Sequence, residues 1–133
     1  MASFKRFEDI EAWKLAREIS KEIYKVSGIG IFARDFELKN QARASSGSMM
    51  DNIAEGFGRG GKNEFVQFLT IAKGSAEELK SQLYRSLDNE YISESIFENI
   101  YTKTDTYSKM TAGLISYLNQ SSIKGEKFKN RVN

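Results

Sequence analysis

The chain has 133 residues, a formal net charge of +2, 40% hydrophobic and 29% charged residues, so it is long enough for one domain with its own core. It has no cysteine and no histidine, which excludes disulfides, thiolate or imidazole metal sites, and catalysis by cysteine or histidine. No apolar run approaches the roughly 20 residues of a membrane-spanning helix, and the N-terminus lacks the apolar stretch of a signal peptide, so we expect a cytoplasmic protein without a membrane partner.

Apolar residues recur at intervals of three and four, and no proline interrupts them, so the sequence predicts an all-α protein. The first helix is predicted at about residues 8–27 and ends at Gly28. The second helix is predicted at about residues 36–57, with Asp35 as its N-cap.

The third helix is predicted at about residues 63–88 with Asn63 as its N-cap. The fourth is predicted at about residues 93–119, with Ser93 as its N-cap and Ile96 on its inward stripe. The apolar pattern ends there, and residues 121–133 are predicted to form a mobile basic tail. The tail has a net charge of +3. Since the whole chain has a net charge of +2, residues 1–120 have a net charge of −1.

Four helices of similar length with short connections favour an antiparallel up-down-up-down four-helix bundle over residues 1–120. If the turn between the second and third helices lies near residue 60, residues that face each other on these two antiparallel helices have numbers that add up to about 120. Position 48 is then expected near 72 and position 45 near 76, so that small residues face each other. The same reasoning places Arg43 beside Glu77 or Glu78.

The stretch GFGRGGKN, residues 56–63, matches two phosphate-binding patterns: G-x-G-x-x-G, and a Walker A loop with Asn63 in place of Ser or Thr. Both motifs require a preceding β-strand, whereas the residues before Gly56 follow a helical stripe. A helix-to-helix turn explains the glycines better, with Gly58 or Gly60 in the left-handed conformation. The lesser alternative is an anion at the free amides that begin the third helix, beside Arg59 and Lys62. We therefore predict no enzymatic activity, no cofactor and no metal.

Positive charges on the second and third helices are the candidate contacts to nucleic acid, because Lys and Arg neutralise backbone phosphates. The alternative is a solvated surface of mixed charge, since acidic residues are interspersed. Repetition of these cations in an oligomer would concentrate their charge. The candidate residues are Lys39, Arg43, Arg59, Lys62, Lys73, Lys80 and Arg85.

Apolar and aromatic residues are divided between the core and a second surface. Helical spacing places five aromatic residues in the core rather than on a base-stacking face: Phe65, Phe68, Phe97, Tyr101 and Tyr107. Four residues off the main stripes suit contacts between subunits: Val66, Ile71, Tyr84 and Ile115.

Three segments, residues 7–27, 41–59 and 64–83, resemble in order and spacing the four-helix proteins encoded in intervening sequences of bacterial 23S rRNA genes. The most specific part is S-x-x-x-N-I-A-E-G-F-G-R at 48–59, supported by A-K-G-S-A-E-E-L at 72–79. The motif positions, expected to be structural, are Ser48, Asn52, Glu55, Gly56, Gly58, Gly74, Ser75 and Glu78. The sequence departs from the family at Met50, where members usually carry proline.

The resemblance implies a four-helix bundle that assembles as a ring-shaped homo-oligomer, and we expect a pentamer. It also implies a relationship to the accessory variability protein of diversity-generating retroelements, a bundle that binds nucleic acid and a reverse transcriptase. RNA or DNA and a reverse transcriptase are therefore expected partners. Neither relationship implies catalysis.

Two choices stay open at the level of sequence. Asn52 and Glu55 lie one helical turn apart. They are ligands of a partner or metal, or part of a buried polar network that fixes helix register, or an ordinary pair at the end of a helix. We favour the two structural interpretations, because bundle metal sites typically pair Glu with His. The protein as a whole is either a nucleic-acid-binding ring or a protein-interaction scaffold that binds no nucleic acid.

Overall fold

The computed structural model describes residues 4–120, and the predicted basic tail at 121–133 lies outside the described residues. Four long helices account for most of this range: α1 (Glu11–Ser27), α2 (Phe36–Gly58), α3 (Lys62–Asp88) and α4 (Glu94–Gln120). Short 3₁₀ turns, Phe7–Asp9 and Phe32–Arg34, precede α1 and α2. All of these elements are helical, as the sequence predicts.

Hydrogen bonds between the helices show that neighbours run antiparallel. On α2 and α3, the hydroxyls of Ser48 and Ser75 are 2.8 Å apart, and Arg85 donates to the Gln41 side chain at 2.9 Å. As the residue number falls on one helix it rises on the other.

The helices α3 and α4 are also antiparallel. Lys80 of α3 donates to Asp105 of α4 at 2.9 Å, and Ser108 of α4 donates to Glu77 of α3 at 3.0 Å. Contacts of α1 with both α2 and α4 close the bundle. The predicted four-helix bundle is confirmed, and no helix in residues 4–120 is long and apolar enough to cross a membrane.

The core runs along the axis of the bundle and combines large side chains with small ones. Tyr107, Met49 and Leu79 are fully buried, and Ala72 and Ala76 let α3 approach its neighbours closely at the same level. Dense packing of this kind makes each buried side chain sensitive to a change of volume.

The connection between α1 and α2 is anchored at one end of the bundle. Phe32 is buried and its ring stacks on Tyr91, with centroids 5.3 Å apart. Asp35 caps α2 by accepting from the Leu38 amide at 3.0 Å, as predicted, and it also accepts from the Tyr91 hydroxyl at 2.9 Å. Both hydrogen bonds hold the pKa of Asp35 below its ordinary value, and the bond from the Leu38 amide has the larger effect.

Residues 59–61 of the glycine stretch form the turn between α2 and α3, while its first three residues end α2 and its last two begin α3. α2 precedes it where a nucleotide loop would need a strand, and Gly60 has φ +81°, which confirms the predicted left-handed glycine. Asn63 is not the N-cap, however. Gly61 takes that position in an extended conformation, and its carbonyl accepts from the Phe65 amide at 3.0 Å, so α3 begins one residue earlier than predicted.

Two further details of the predicted packing are wrong. Arg43 does not approach Glu77 or Glu78, because it lies on the flank of α2 that faces α1 and donates to the Ser27 hydroxyl at 2.9 Å. The predicted N-cap of α4 is confirmed, because the Ser93 hydroxyl accepts a hydrogen bond from the Ile96 amide at 3.2 Å. Ile96 itself lies outside the core with 38% of its surface exposed, because it belongs to the first, outward turn of α4.

Two helix-interior glycines predict opposite effects of the same substitution. A Cβ on Gly56 would lie 2.5 Å from the Cβ of Phe68, whereas a Cβ on Gly74 would meet no described atom within 4 Å. We expect Gly56→Ala to cost about 1–3 kcal/mol of stability through overpacking. Gly74→Ala should instead stabilise by about 0.5–1 kcal/mol, because alanine reduces backbone entropy in the unfolded chain. Urea denaturation of both variants checks this, and equal effects would contradict the close α2–α3 contact.

Candidate nucleic-acid interface

Four basic side chains form a row along the outer face of α1. Lys14, Arg17, Lys21 and Lys25 recur at intervals of three and four and are all exposed. At a rise of 1.5 Å per residue the row is roughly 16 Å long. Lys14 pairs with Glu11 at 2.9 Å, while the other three have no ion pair with any residue between 4 and 120. We call these four residues the α1 row.

The acidic residues beside the α1 row are held by α4. Lys103 donates to Glu22 at 2.8 Å and to Glu18 at 3.1 Å, and Asn99 also donates to Glu22 at 2.7 Å. The hydrogen bond to Glu22, together with the weaker one to Glu18, raises the pKa of Lys103 above its ordinary value. The two carboxylates are thus turned toward a cation of the neighbouring helix, and the α1 row faces solvent.

A shallow groove lies on the surface of α2 beside the C-terminal half of the α1 row, and Tyr24 of α1 forms one side of it. It has a volume of about 590 Å³ and includes Tyr24, Arg43 and Asp51 along its walls. The guanidinium of Arg43 lies 4.4 Å from the centre of the Tyr24 ring. Ala44 and Gly47 also line it.

The seven cations predicted from sequence do not form one patch. Lys62 begins α3 and Arg85 lies near its end, roughly 34 Å away at helical rise. Arg59 lies near Lys62 and is paired with Glu55 at 2.8 Å. Lys39 lies at the opposite end of α2, with its ammonium 4.8 Å from the Phe36 ring. Their role in binding stays a prediction.

The cations in the middle of α3 differ from each other. Lys80 is 13% exposed and bonds Asp105 at 2.9 Å and Glu77 at 3.1 Å. Burial disfavours its charge, but the two carboxylates outweigh burial and raise the pKa of Lys80. Lys80 is therefore a structural cation between α3 and α4. Lys73 is half-buried and lines a shallow apolar groove with Ile115.

The motif residues of α2 and α3 meet in a polar network between those helices. Asn52 donates to the Ser48 carbonyl at 2.9 Å and to its hydroxyl at 2.8 Å. Ser48 in turn contacts Ser75 across the interface at 2.8 Å. Glu55 is not part of this network, because it lies on the exposed side and pairs with Arg59. The geometry agrees with the interpretation of Asn52 as a register-fixing residue.

The remaining motif positions are spread over the bundle. Gly56 is buried against Phe68, whereas Gly58, Gly74 and Glu78 are exposed. In residues 4–120 no group of three or more acidic side chains is arranged to hold a metal ion. The motif thus contributes packing and register in α2 and leaves several positions facing outward.

Exposed apolar side chains lie on two other surfaces. Ile71 and Tyr84 on α3 are 49% and 50% exposed, while the other two residues predicted between subunits, Val66 and Ile115, pack partly against the core. The Tyr84 ring contacts Phe97 with centroids 4.9 Å apart, so an aromatic cluster covers part of the α3–α4 surface.

Sequence reasoning missed the α1 row. The signal was present as four cations at helical spacing between residues 14 and 25. Three acids, Glu11, Glu18 and Glu22, lie in the same helix and nearly cancel the charge when it is only counted. Only the packing of α4 shows that two of these acids, Glu18 and Glu22, pair with Lys103.

Comparison with known proteins confirms the family resemblance. A family model described as 23S rRNA-intervening sequence protein matches residues 8–113. A crystal structure of a protein with unknown function from the S23 ribosomal protein family of Bacteroides thetaiotaomicron aligns with a TM-score of 0.73 and 22% identity, covering 79% of this chain and 95% of that one. At this identity the likeness concerns the fold alone, and no curated protein matches the chain significantly. Because the family model spans well over half of the sequence, the chain belongs to the 23S rRNA-intervening sequence protein family.

Proposed function

We propose that this protein is a non-enzymatic module that assembles as a homo-oligomeric ring in the bacterial cytoplasm and binds nucleic acid through the sugar-phosphate backbone. The α1 row carries this proposal, because it is an exposed line of cations and two of the neighbouring acids, Glu18 and Glu22, are paired with Lys103 of α4. Backbone phosphates are the ligands that such a line attracts without reading sequence.

The geometry of the row suits contact with successive phosphates. Its cations are three or four residues apart, which corresponds to roughly 5–6 Å along the helix axis. Lys and Arg side chains are long and flexible enough to adjust to a phosphate chain, and their charge gives binding that falls steeply with salt. Binding should therefore be sensitive to ionic strength and insensitive to base sequence.

Assembly of several chains would bring several copies of the α1 row together. The four cations of one chain form only a small field, but a ring repeats them around its axis, and linked sites gain affinity through effective concentration. The half-exposed Tyr84 of α3 supports self-association, because it clusters with Phe97 and Tyr101, and monomeric proteins rarely leave large apolar patches in water. α3 lies diagonally opposite α1 in the order of the bundle, so both surfaces can be used at once.

A second candidate is a protein-interaction scaffold that binds no nucleic acid. Exposed apolar residues at the α1–α2 connection favour it, since Ile29, Ile31 and Phe36 are 66–67% exposed. A reverse transcriptase, the protein partner that the family resemblance suggests, belongs to this class of interaction. Binding to protein that persists at high salt, without any binding to RNA or DNA, would identify the scaffold.

The two candidates are separated by measuring mass in solution and binding to nucleic acid on the same sample. We expect light scattering to give a multiple of the 15.1 kDa chain mass. Fluorescence anisotropy with structured RNA and duplex DNA should show affinity that falls linearly with salt on logarithmic axes. An oligomer that binds neither probe at low salt would refute the nucleic-acid proposal, and a monomer would refute the ring.

A further inference from the structure

We propose that Tyr24 stacks against an unpaired base, so that the class of nucleic acid this surface prefers is single-stranded RNA or DNA. This inference rests on the function proposed above and adds to it a residue that distinguishes single strands from duplexes. Tyr24 is 52% exposed and lies on α1 at the edge of the α1 row, where the groove toward α2 begins.

The ring of Tyr24 is held in place before any ligand arrives. Arg43 packs its guanidinium 4.4 Å from the ring centre, and is itself fixed by donating to the Ser27 hydroxyl at 2.9 Å and to the Tyr24 carbonyl at 3.3 Å. A cation on one side of an aromatic ring leaves the rest of its surface for a second partner. Because the ring is already oriented, stacking would cost little side-chain entropy.

The charges around Tyr24 match the arrangement that single strands require. Lys21 precedes Tyr24 by three residues and Lys25 follows it directly, and both are exposed. Proteins that bind single strands combine a cationic track for the backbone with aromatic side chains on which bases stack. A base paired within a duplex has no free face, so Tyr24 contributes only where a base is unpaired.

The groove beside Tyr24 offers room and polar partners for such a base. It is shallow and open to solvent, with a volume of about 590 Å³. Asn40, Asp51 and Asn52 line it with groups that can bond base edges. Asp51 repels phosphate, so the base enters the groove and the backbone stays on the α1 row.

The test compares two variants at one position. Tyr24→Phe keeps an aromatic ring, and Tyr24→Leu keeps an apolar side chain without a ring, so the pair isolates stacking. We expect Tyr24→Leu to weaken binding to short oligouridine and oligodeoxythymidine strands about tenfold. Tyr24→Phe should bind them like the wild type. Neither variant should change the affinity for a fully paired duplex or the slope of affinity against salt.

Each outcome decides between the two proposals. If wild-type protein shows salt-sensitive binding but Tyr24→Leu and Tyr24→Phe bind single strands equally well, the role of Tyr24 is refuted and the proposed function stands. If the wild type binds neither single strands nor duplex at low salt, the proposed function fails, and this inference with it. A loss seen with oligouridine alone, or with oligodeoxythymidine alone, would assign the site to RNA or to DNA.

Discussion

Replacing the four cations of the α1 row by glutamine is expected to weaken binding to duplex DNA on the order of 100-fold at low salt. The four residues are Lys14, Arg17, Lys21 and Lys25, and all are exposed. Each phosphate contact contributes about 0.9 to the slope of log affinity against log salt, so the slope should become shallower by up to about 3.6. Fluorescence anisotropy between low and moderate salt gives both quantities.

A second variant with the same change of charge serves as the comparison. It replaces four cations from the set predicted by sequence alone with glutamine: Lys39, Lys62, Lys73 and Arg85. These lie at both ends and in the middle of the bundle rather than in one row, so we expect a smaller loss of affinity. A larger loss in this variant than in the α1-row variant would show that nucleic acid binds to α2 and α3 instead. Equal losses would show that only net charge matters.

The architecture could be predicted from the sequence because capping residues and turn glycines indicate where helices begin and end, and the spacing of apolar residues indicates which face is buried. Asp35 and Ser93 cap the helices that follow them, as expected from residues that compete for free amides. Gly60 takes the positive φ that ends the α2–α3 turn. The prediction of Asn63 as the N-cap of α3 was wrong, because Gly61, two residues earlier, already adopts the extended conformation of an N-cap residue.

The flanks of the helices were harder to predict than their buried stripes. Periodicity separates the core from the surface, but it does not say which neighbouring helix a flanking residue faces. Arg43 and Ser46 lie on the same flank of α2, and both contact α1: Arg43 bonds Ser27, and Ser46 bonds Ser20 at 3.4 Å. Arg43 was therefore assigned to the wrong neighbour, although it does lie on the second helix, as predicted.

The candidate site depended on the same kind of information. Counting charges along α1 gives four cations and three acids, which indicates an ordinary mixed surface. The α1 row becomes visible only when Lys103 of α4 is seen to hold Glu18 and Glu22. Charge patterning is thus a property of the assembled bundle, and no single helix displays it.

Tyr107 is expected to be the most sensitive position of the core. Its side chain is fully buried on α4, and its hydroxyl donates to the backbone carbonyl of Met49 on α2 at 2.8 Å. Tyr107→Ala should cost about 3–5 kcal/mol, because it removes a large aromatic side chain from a close-packed interior. That is a large part of the roughly 5–15 kcal/mol that stabilises a typical domain. Urea denaturation at neutral pH measures the loss.

Tyr107→Phe separates the hydroxyl from the ring. The ring volume is kept, but the Met49 carbonyl loses a partner in a buried place, so we expect a cost of about 1–2 kcal/mol. Tyr107→Ala must then cost clearly more than Tyr107→Phe. Similar values for the two variants would mean that the ring packs loosely and that the hydrogen bond dominates.

The pH dependence of the same pair tests the burial of Tyr107 independently. Burial raises the pKa of Tyr107 above its ordinary value of 10.0, because the ionised phenolate is disfavoured in the core. Above pH 10 the unfolded chain loses this proton while the folded protein keeps it, so the stability contributed by Tyr107 falls as pH rises. The phenylalanine variant lacks this term, and other titrating groups affect both proteins alike. The stability gap between wild type and Tyr107→Phe should therefore narrow by about 1.4 kcal/mol per pH unit once pH exceeds the unfolded value. A gap that stays constant between pH 9 and 11 would place the hydroxyl in contact with water.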